Sequence, residues 1–393
     1  MKHKFYITTT VPETLGFFVG QPRIWKESFD VCAISSNREK LCQFAEREGI
    51  EWYNIDMARN PSLFKDIISL KKFIVLFLKR KPEIVHAGTP KASLLALIAA
   101  WITRRPIRIY MCHGLRYQAF SGIMRIFLML MEKISCACAT DVICISNGTL
   151  QGLLKDNICR PDKARIIRYG SSCGINLIYF NKKSISNISG IRKEIGVDDE
   201  AFLYLFAGRI VHDKGVEELV RSFKKIQQVK ANAHLVILGS FSQDLDPVST
   251  ESIEEMKENH NIHLLGQKND VRPYMAASDL FVLPSYREGL STVLVEAGAM
   301  ELASITCDVT GCSEIIEDGV NGVVISSPTV SQGGNPLKME KDLYDAMLWC
   351  YEHPENLKVM GTAARKRIED RFDEKIVWKN YYEEYKRIVN RIE

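Results

Sequence analysis

Two acids, Glu288 and Glu296, stand eight positions apart around a Gly-Leu-Ser turn, in the stretch Pro284-Ser-Tyr-Arg-Glu288-Gly-Leu-Ser-Thr-Val-Leu-Val-Glu296. About eighty positions upstream of Glu288, Leu205-Phe-Ala-Gly-Arg209 closes an apolar run, and Lys214-Gly215 follows. Alone, each charge reads as a solvated side chain. Together they offer two cations for a diphosphate and two acids for hydroxyl groups. Arg grips two oxygens at once, and Lys acts as a compact point charge. A diphosphate needs such cations, helix-start N–H groups, or both. The combination suits a nucleotide-diphospho-sugar.

Within that set the roles differ. Glu296 is expected near the first turn of a helix, where the dipole favours a carboxylate. It is a candidate acceptor for two ribose hydroxyls, a role that carboxylates play in dinucleotide folds. Glu288 lies in a turn between Pro284 and Gly289, so it points into a cleft or into water. Gly289 lets the backbone approach a ligand, and the N–H groups of Leu290 and Ser291 are then candidates for sugar or phosphate oxygens. His113, followed by Gly114 after an apolar run, is a candidate for contact with a reacting sugar, or else a structural histidine. Gly16 and Gly20 follow the first apolar run and suggest a phosphate-facing loop, but the pattern is not GxGxxG, so nicotinamide and flavin readings gain nothing. Asp244-Leu-Asp246 resembles a metal-binding pair, but its polar surroundings from Ser242 to Ser252 read as a solvated loop.

The elements that must position these residues alternate along the chain. Strands are expected at Lys4–Thr9, Val31–Ile34, Ile84–His86, Ile107–Met111, Asp141–Ile145 and Ala164–Arg168. Helices are expected at Asn37–Glu48, Ala92–Thr103 and Ser121–Ala139. The rhythm weakens at Phe180–Gly190, which reads as a linker or an exposed connection, and then restarts. The second set of strands is Phe202–Ala207, His234–Leu238, Asn261–Leu265, Asp279–Leu283 and Ser304–Cys307, with helices at Val216–Val229 and Thr292–Met300. Ser326–Met339 reads as a surface loop, and helices close the chain from Glu340 to about Ile388. This is the βαβ pattern of an α/β fold with doubly wound parallel sheets. Two Rossmann-like domains are expected, 1–180 and 190–374, facing a central cleft with ligands at the carboxyl ends of strands.

Bulk composition narrows the function classes. The 393 residues are 46% hydrophobic and 25% charged, enough for two full cores. A net charge of +4 is too mild to argue for nucleic-acid binding. The eleven cysteines are odd in number and contain no CxxC; Cys136 and Cys138 do not match zinc spacing. They read as free thiols in a reducing compartment. The first ten residues turn polar too quickly for a signal peptide, and no run reaches the ~18 apolar residues of a membrane span. Cytoplasmic localisation is the expectation. Ser69–Lys81 and Ile123–Met131 mix apolar residues with cations. Such stretches read first as sheet-packed helices with basic ends; a place in a membrane interface is the alternative.

The motifs resemble the retaining glycosyltransferases of family four, which have the GT-B fold. The resemblance covers most of the chain and is densest from Phe202 to Gly322. It rests on Ala207-Gly-Arg209 with Lys214-Gly215, on the E-x7-E pair Glu288 and Glu296, on Asp270-Val-Arg-Pro-Tyr-Met-Ala-Ala-Ser-Asp279, and on Thr310-Gly-Cys-Ser-Glu314 with Glu317-Asp-Gly-Val-Asn-Gly322. In the first half, His86, Thr89-Pro-Lys91, His113-Gly114, Ile143-Cys-Ile-Ser-Asn147 and Gly170-Ser-Ser-Cys-Gly174 look like the subgroup that builds bacterial surface polysaccharides.

The resemblance implies a UDP-sugar donor with no further cofactor and no metal. It implies a polyprenyl-diphosphate-linked saccharide as acceptor and peripheral contact with the anionic inner face of the plasma membrane. Arg209 and Lys214 would hold the diphosphate, Glu296 the ribose, and Glu288 with the Gly289–Ser291 backbone the sugar hydroxyls. His113 would complete the sugar site, Gly16 would approach the donor, and the last helix, 375–393, would pack on the first domain. A UDP-sugar 2-epimerase of the same fold and a non-catalytic nucleotide-sugar-binding partner are the competing expectations. Where the family often has Gly-Leu-Pro after its second acid, this chain has Glu301-Leu-Ala303.

Overall fold

The computed structural model describes residues 2–58, 62–242, 246–328 and 335–391. The chain divides into two compact units: Met1–Gly174 with Lys375–Glu393, and Ile175–Glu374.

The first unit contains β1 (His3–Thr8), α1 (Gln21–Trp25), β2 (Phe29–Ser35), α2 (Arg38–Glu48), β3 (Glu51–Asn54), α3 (Leu63–Arg80), β4 (Ile84–Ala87), α4 (Pro90–Ile102), β5 (Ile107–Cys112), α5 (Gly122–Cys138), β6 (Asp141–Cys144), α6 (Asn147–Lys155) and β7 (Ala164–Ile166). All seven strands are parallel, in the order β3-β2-β1-β4-β5-β6-β7. The inner strands are buried on both faces, which is why they read as continuous apolar runs. α2 shows how the sequence sets its own limits. The Asn37 side chain accepts from the Lys40 N–H at the start, and left-handed Gly49 ends the helix with its N–H on Ala45 and Glu46 carbonyls.

The second unit contains α7 (Ile188–Ile195), β8 (Phe202–Ala207), α8 (Val216–Val229), β9 (Ala233–Leu238), α9 (Thr250–Glu258), β10 (Ile262–Gly266), α10 (Arg272–Ala277), β11 (Leu280–Leu283), α11 (Thr292–Ala299), β12 (Ser304–Cys307), β13 (Gly322–Ile325), α12 (Pro336–Glu352) and α13 (Pro354–Phe372). Its parallel sheet runs β10-β9-β8-β11-β12-β13. α8 buries Val216, Leu219, Val220, Phe223 and Ile226, the i, i+3, i+4 stripe of a core-facing helix. The last helix, α14 (Glu374–Val389), lies almost wholly in the first unit. There Trp378 Nε1 donates to the Cys173 carbonyl at 2.6 Å, Tyr381 Oη to the Ser171 carbonyl at 2.6 Å, and the Tyr385 hydroxyl meets His86 Nε2 at 3.2 Å.

Several expectations need correction. The Phe180–Gly190 stretch is no bare linker: a 3₁₀ turn occupies Lys182–Ser184, and α7 starts at Ile188 behind an Asn187 cap. Its polar composition reflects an exposed face rather than a missing element. α12 begins at Pro336, four residues before the expected start, because Asn335 caps it and Pro fits the first helical position. Residues 329–334 of the expected Ser326–Met339 loop lie outside the described residues. β3 and β13 were not expected as separate elements, and α3 starts at Leu63, six residues before the Ser69–Lys81 stretch expected as a helix.

Candidate functional site

Both sheets reverse their strand order once, beside β1 and β4 in the first unit and beside β8 and β11 in the second. In open parallel sheets the crevice beyond such a switch point is where ligands bind. The motif residues of the second unit sit there. Arg209 follows β8, and Glu288 follows β11.

Two loops are tied together at that point. A 3₁₀ turn, His212–Lys214, carries the lysine and ends at left-handed Gly215, which also starts α8. A β-carbon at residue 215 would stand 2.0 Å from the Pro284 carbonyl oxygen, so only glycine permits this approach. The Tyr286 N–H and the Ser285 hydroxyl both donate to the Asp213 carbonyl, at 2.9 and 3.1 Å. Arg287 pairs with the Asp213 carboxylate at 3.0 Å. These bonds fix Lys214 against Glu288. Lys214 Nζ donates to Glu288 Oε1 at 2.6 Å, with each side chain 14% exposed. Read from sequence, these two residues belonged to different parts of a ligand; in the folded chain they form one ion pair.

Arg209 and Glu296 differ from that pair. Among the described residues neither side chain has a hydrogen-bond or ion-pair partner. Arg209 is exposed. Glu296 lies in the second turn of α11, not the first, and burial pushes its carboxyl up to about 7. Loss of hydration raises it, and in the second turn Glu296 lies beyond the reach of the helix dipole that was expected to favour its charge.

The Gly289–Ser291 turn also departs from expectation. The Ser291 N–H is taken by the Gly311 carbonyl at 3.1 Å. Its hydroxyl is buried and has no partner among the described residues. Gly311 packs against this turn so closely that a β-carbon there would lie 2.4 Å from the Gly289 oxygen. The family-like Thr310-Gly-Cys stretch thus supports the turn after Glu288 from behind, a packing role that motif spacing alone did not show.

In the first unit, His113 follows β5. Its ring stacks on Phe17 with centroids 5.0 Å apart, and burial lowers its pKa to about 4, so it is neutral near pH 7. Gly88, after β4, makes room for it: a β-carbon there would stand 3.0 Å from His113 Nε2. Sequence reading missed Gly88. The expected open loop at Gly16 is a 3₁₀ turn, Pro12–Phe18, with Gly16 exposed inside it. Gly20 has a packing cause, since the Trp378 ring occupies the space of a β-carbon.

Asp244 lies outside the described residues. Asp246 accepts from the Asp213 N–H at 2.6 Å and so braces the Lys214 turn. Among the described residues, one group has metal-compatible side chains close together, His212, Glu217 and Glu218. Arg221 already bonds Glu218 at 2.8 Å and approaches Glu217 at 3.9 Å, so these carboxylates are neutralised from within. All eleven cysteines are free, and eight are buried. No helix among the described residues is long and apolar enough to cross a membrane.

Comparison with known proteins follows the same division. The family model "Glycosyltransferase Family 4" matches residues 26–172, and the model "Glycosyl transferases group 1" matches 187–367. The chain is 33% identical over 391 residues to the capsular polysaccharide biosynthesis glycosyltransferase CapM of Staphylococcus aureus, covering 99% of this chain and 98% of CapM. It is 24% identical over 302 residues, 76% of each chain, to the UDP-Gal:alpha-D-GlcNAc-diphosphoundecaprenol alpha-1,3-galactosyltransferase of Escherichia coli. The Anabaena protein Alr3699/HepE, crystallised with UDP, has the same fold: TM-score 0.78 at 18% identity, over 98% of this chain and 100% of that one.

Proposed function

This chain belongs to the family 4 glycosyltransferases of the GT-B fold, and on that premise we propose that it transfers a sugar from a UDP-sugar to a polyprenyl-diphosphate-linked saccharide in bacterial surface-polysaccharide assembly. An N-acetylhexosamine is our first candidate for the sugar, and retention of anomeric configuration follows the family pattern. The reaction would run at the inner face of the plasma membrane.

The observation that carries this reading is the Lys214–Glu288 pair at a sheet switch point, 2.6 Å between charges, on a chain whose Arg209 and Glu296 have no side-chain partner among the described residues. The printed names of the relatives support it: one makes capsular polysaccharide, and one uses UDP-Gal and a diphosphoundecaprenol-linked acceptor. UDP in the Anabaena crystal supports the donor class.

In this mechanism the bond from the sugar's anomeric carbon to the diphosphate breaks, and its electron pair leaves with UDP. The oxygen of the acceptor hydroxyl bonds to the same carbon on the same face, and its proton passes to the departing diphosphate oxygen. Arg209 and Lys214 take up the charge that grows on the diphosphate, which is the main stabilisation fixed cations can supply. Glu296 accepts from the ribose hydroxyls. Glu288 and the Gly289–Ser291 turn hold the sugar, with the orphaned Ser291 hydroxyl as a candidate donor. We assign His113, held neutral by burial, to the transferred sugar, and Gly16 to the approach of the donor.

The test is UDP release by purified protein given UDP-sugars and lipid-linked acceptors. Release that needs the acceptor and is lost in Lys214→Ala and Glu288→Ala is the expected result. Donor turnover without acceptor, with proton exchange at sugar C2, would replace this reading with a 2-epimerase. UDP binding without turnover on any acceptor would make the chain a binding partner.

A further inference from the structure

Two of the eleven thiols meet at the bottom of a cavity in the first unit. Cys136 lies in the last turn of α5, and Cys159 in the loop between α6 and β7. Their side chains hydrogen-bond each other. Both residues are buried, yet both line a cavity of about 360 Å³ whose rim residues Lys133, Ala137, Asn157, Arg160 and Pro161 are exposed. The thiols are therefore the floor of an open pocket. Cys112 and Cys144 form a second bonded pair, in register on β5 and β6, but both are wholly enclosed and no reagent reaches them.

The two sulfurs in the open pocket are not equivalent. The hydrogen bond from Cys136, with the nearby Lys163 charge, holds the Cys159 thiol below its ordinary value despite burial. The same bond, with burial, holds Cys136 well above its own. The shared proton thus stays on Cys136, which donates it to the Cys159 sulfur. Lys163 is fixed beside the pair: its Nζ donates to the Cys136, Ala137 and Ala139 carbonyls at 3.4, 3.1 and 2.7 Å, closing the end of α5. A thiol that ionises readily, touching one that keeps its proton, is the arrangement of an attacking and a resolving cysteine.

The cavity says what reacts. Its volume is in the range that holds a small organic ligand, about 300–1,000 Å³. Lys133, Arg160 and Lys163 line it, and among the described residues no acid does. Asp162 compensates Arg160 at 2.8 Å from outside the lining, so the charge of Lys133 and Lys163 remains for a ligand. Such a wall suits a molecule with carboxylates.

We propose that Cys136 and Cys159 form a thiol modification site that takes a small, carboxylate-bearing disulfide and closes to an internal disulfide. The Cys159 thiolate attacks one sulfur of the ligand. That S–S bond breaks, and one small thiolate leaves with the electron pair. Cys136 then releases its proton and attacks the Cys159 sulfur; the mixed S–S bond breaks and the second small thiolate leaves. The two cysteines lose two electrons and two protons, and the ligand gains them as two small thiols.

The test uses the full chain and oxidised glutathione, with no sugar donor or acceptor, so its failure is separate from failure of the transfer reaction. Peptide mapping should find Cys136 joined to Cys159 and no glutathione retained on either, while the half-buried Cys42, Cys138 and Cys173 hold at most single adducts. Cys136→Ser and Cys136→Ala should each trap one glutathione on Cys159; Cys159→Ser should leave Cys136 unreacted. In the unaltered protein, iodoacetamide below one equivalent should label Cys159 before Cys136, a readout that does not depend on how the variants fold. With each rate referred to that of free cysteine, oxidised glutathione should react at least about threefold faster than cationic cystamine, and salt should narrow the gap. Cys136 and Cys159 staying free while the half-buried thiols react would overturn the proposal, as would first labelling at Cys136. Equal relative rates for the two disulfides would overturn the assigned ligand class.

Discussion

Lys214 and Glu288, 74 positions apart in sequence, hold each other at 2.6 Å across two loops braced by Asp213. Each charge is therefore already compensated before any ligand arrives. A diphosphate entering the site competes with Glu288 for the lysine, and a sugar hydroxyl competes with the lysine for Glu288. Because the ligand replaces an existing pair rather than occupying bare charges, the site stays stable when empty.

The first prediction concerns that pair. Lys214→Ala and Glu288→Ala should each lower kcat/KM by at least about a hundredfold. The double variant should be little worse than the worse single one, because each change already strands the partner. UDP-release kinetics on the three variants check this; simple additivity would mean the two residues act separately.

Among the described residues Arg209 has no side-chain partner to lose. Arg209→Ala should leave thermal stability unchanged within about 0.5 kcal/mol. It should weaken UDP by about tenfold or more while leaving uridine binding alone, since only the diphosphate engages the guanidinium. Calorimetry with both ligands separates the two outcomes.

Glu296 gives a pH dependence. Burial raises its carboxyl to about 7 in the free protein, and ribose hydroxyls need the ionised form as acceptor. UDP affinity should then rise by about tenfold from pH 6 to pH 8, as the proton leaves. Glu296→Gln should remove that rise while keeping the titration that belongs to UDP itself. The sign for stability is opposite. The unfolded carboxyl ionises near its ordinary 4.5, the folded one near 7, so in the free protein Glu296 lowers stability as pH climbs through that window.

Glu301 occupies the turn after α11 with φ +58°, a left-handed conformation that suits glycine. The turn is well formed, with the Leu302 N–H on the Ala297 carbonyl at 3.0 Å. Glu301→Gly should therefore stabilise the second unit by about 1 kcal/mol. For a unit of this size that is about 2–4 °C in Tm, read by calorimetry.

The fold was legible where burial dictates sequence. β8 and β12 are buried throughout, so their runs showed their limits, as did the capped α2. β3, with Glu51, Trp52, Tyr53 and Asn54, is an edge strand with no fully buried residue, and nothing in its composition announced it. The candidate site was legible as residue types but not as pairings. No spacing rule links Lys214 to Glu288, or gives the Ser291 N–H to Gly311 and the space at Gly88 to His113. For α5, the sequence showed an apolar stripe and a cation. Which side of the helix met the sheet depended on Tyr110 reaching Glu132, a contact made only in three dimensions.

The return of the final helix to the first unit has a consequence for biogenesis. Ile175–Glu374 is one unbroken length of polypeptide, complete before α14 has been made. The first unit begins earlier yet lacks Trp378, Tyr381 and Tyr385 until α14 emerges. Maturation should thus run out of order, with the middle of the chain settled first and Gly20 and His86 left without their covering rings until α14 has followed it.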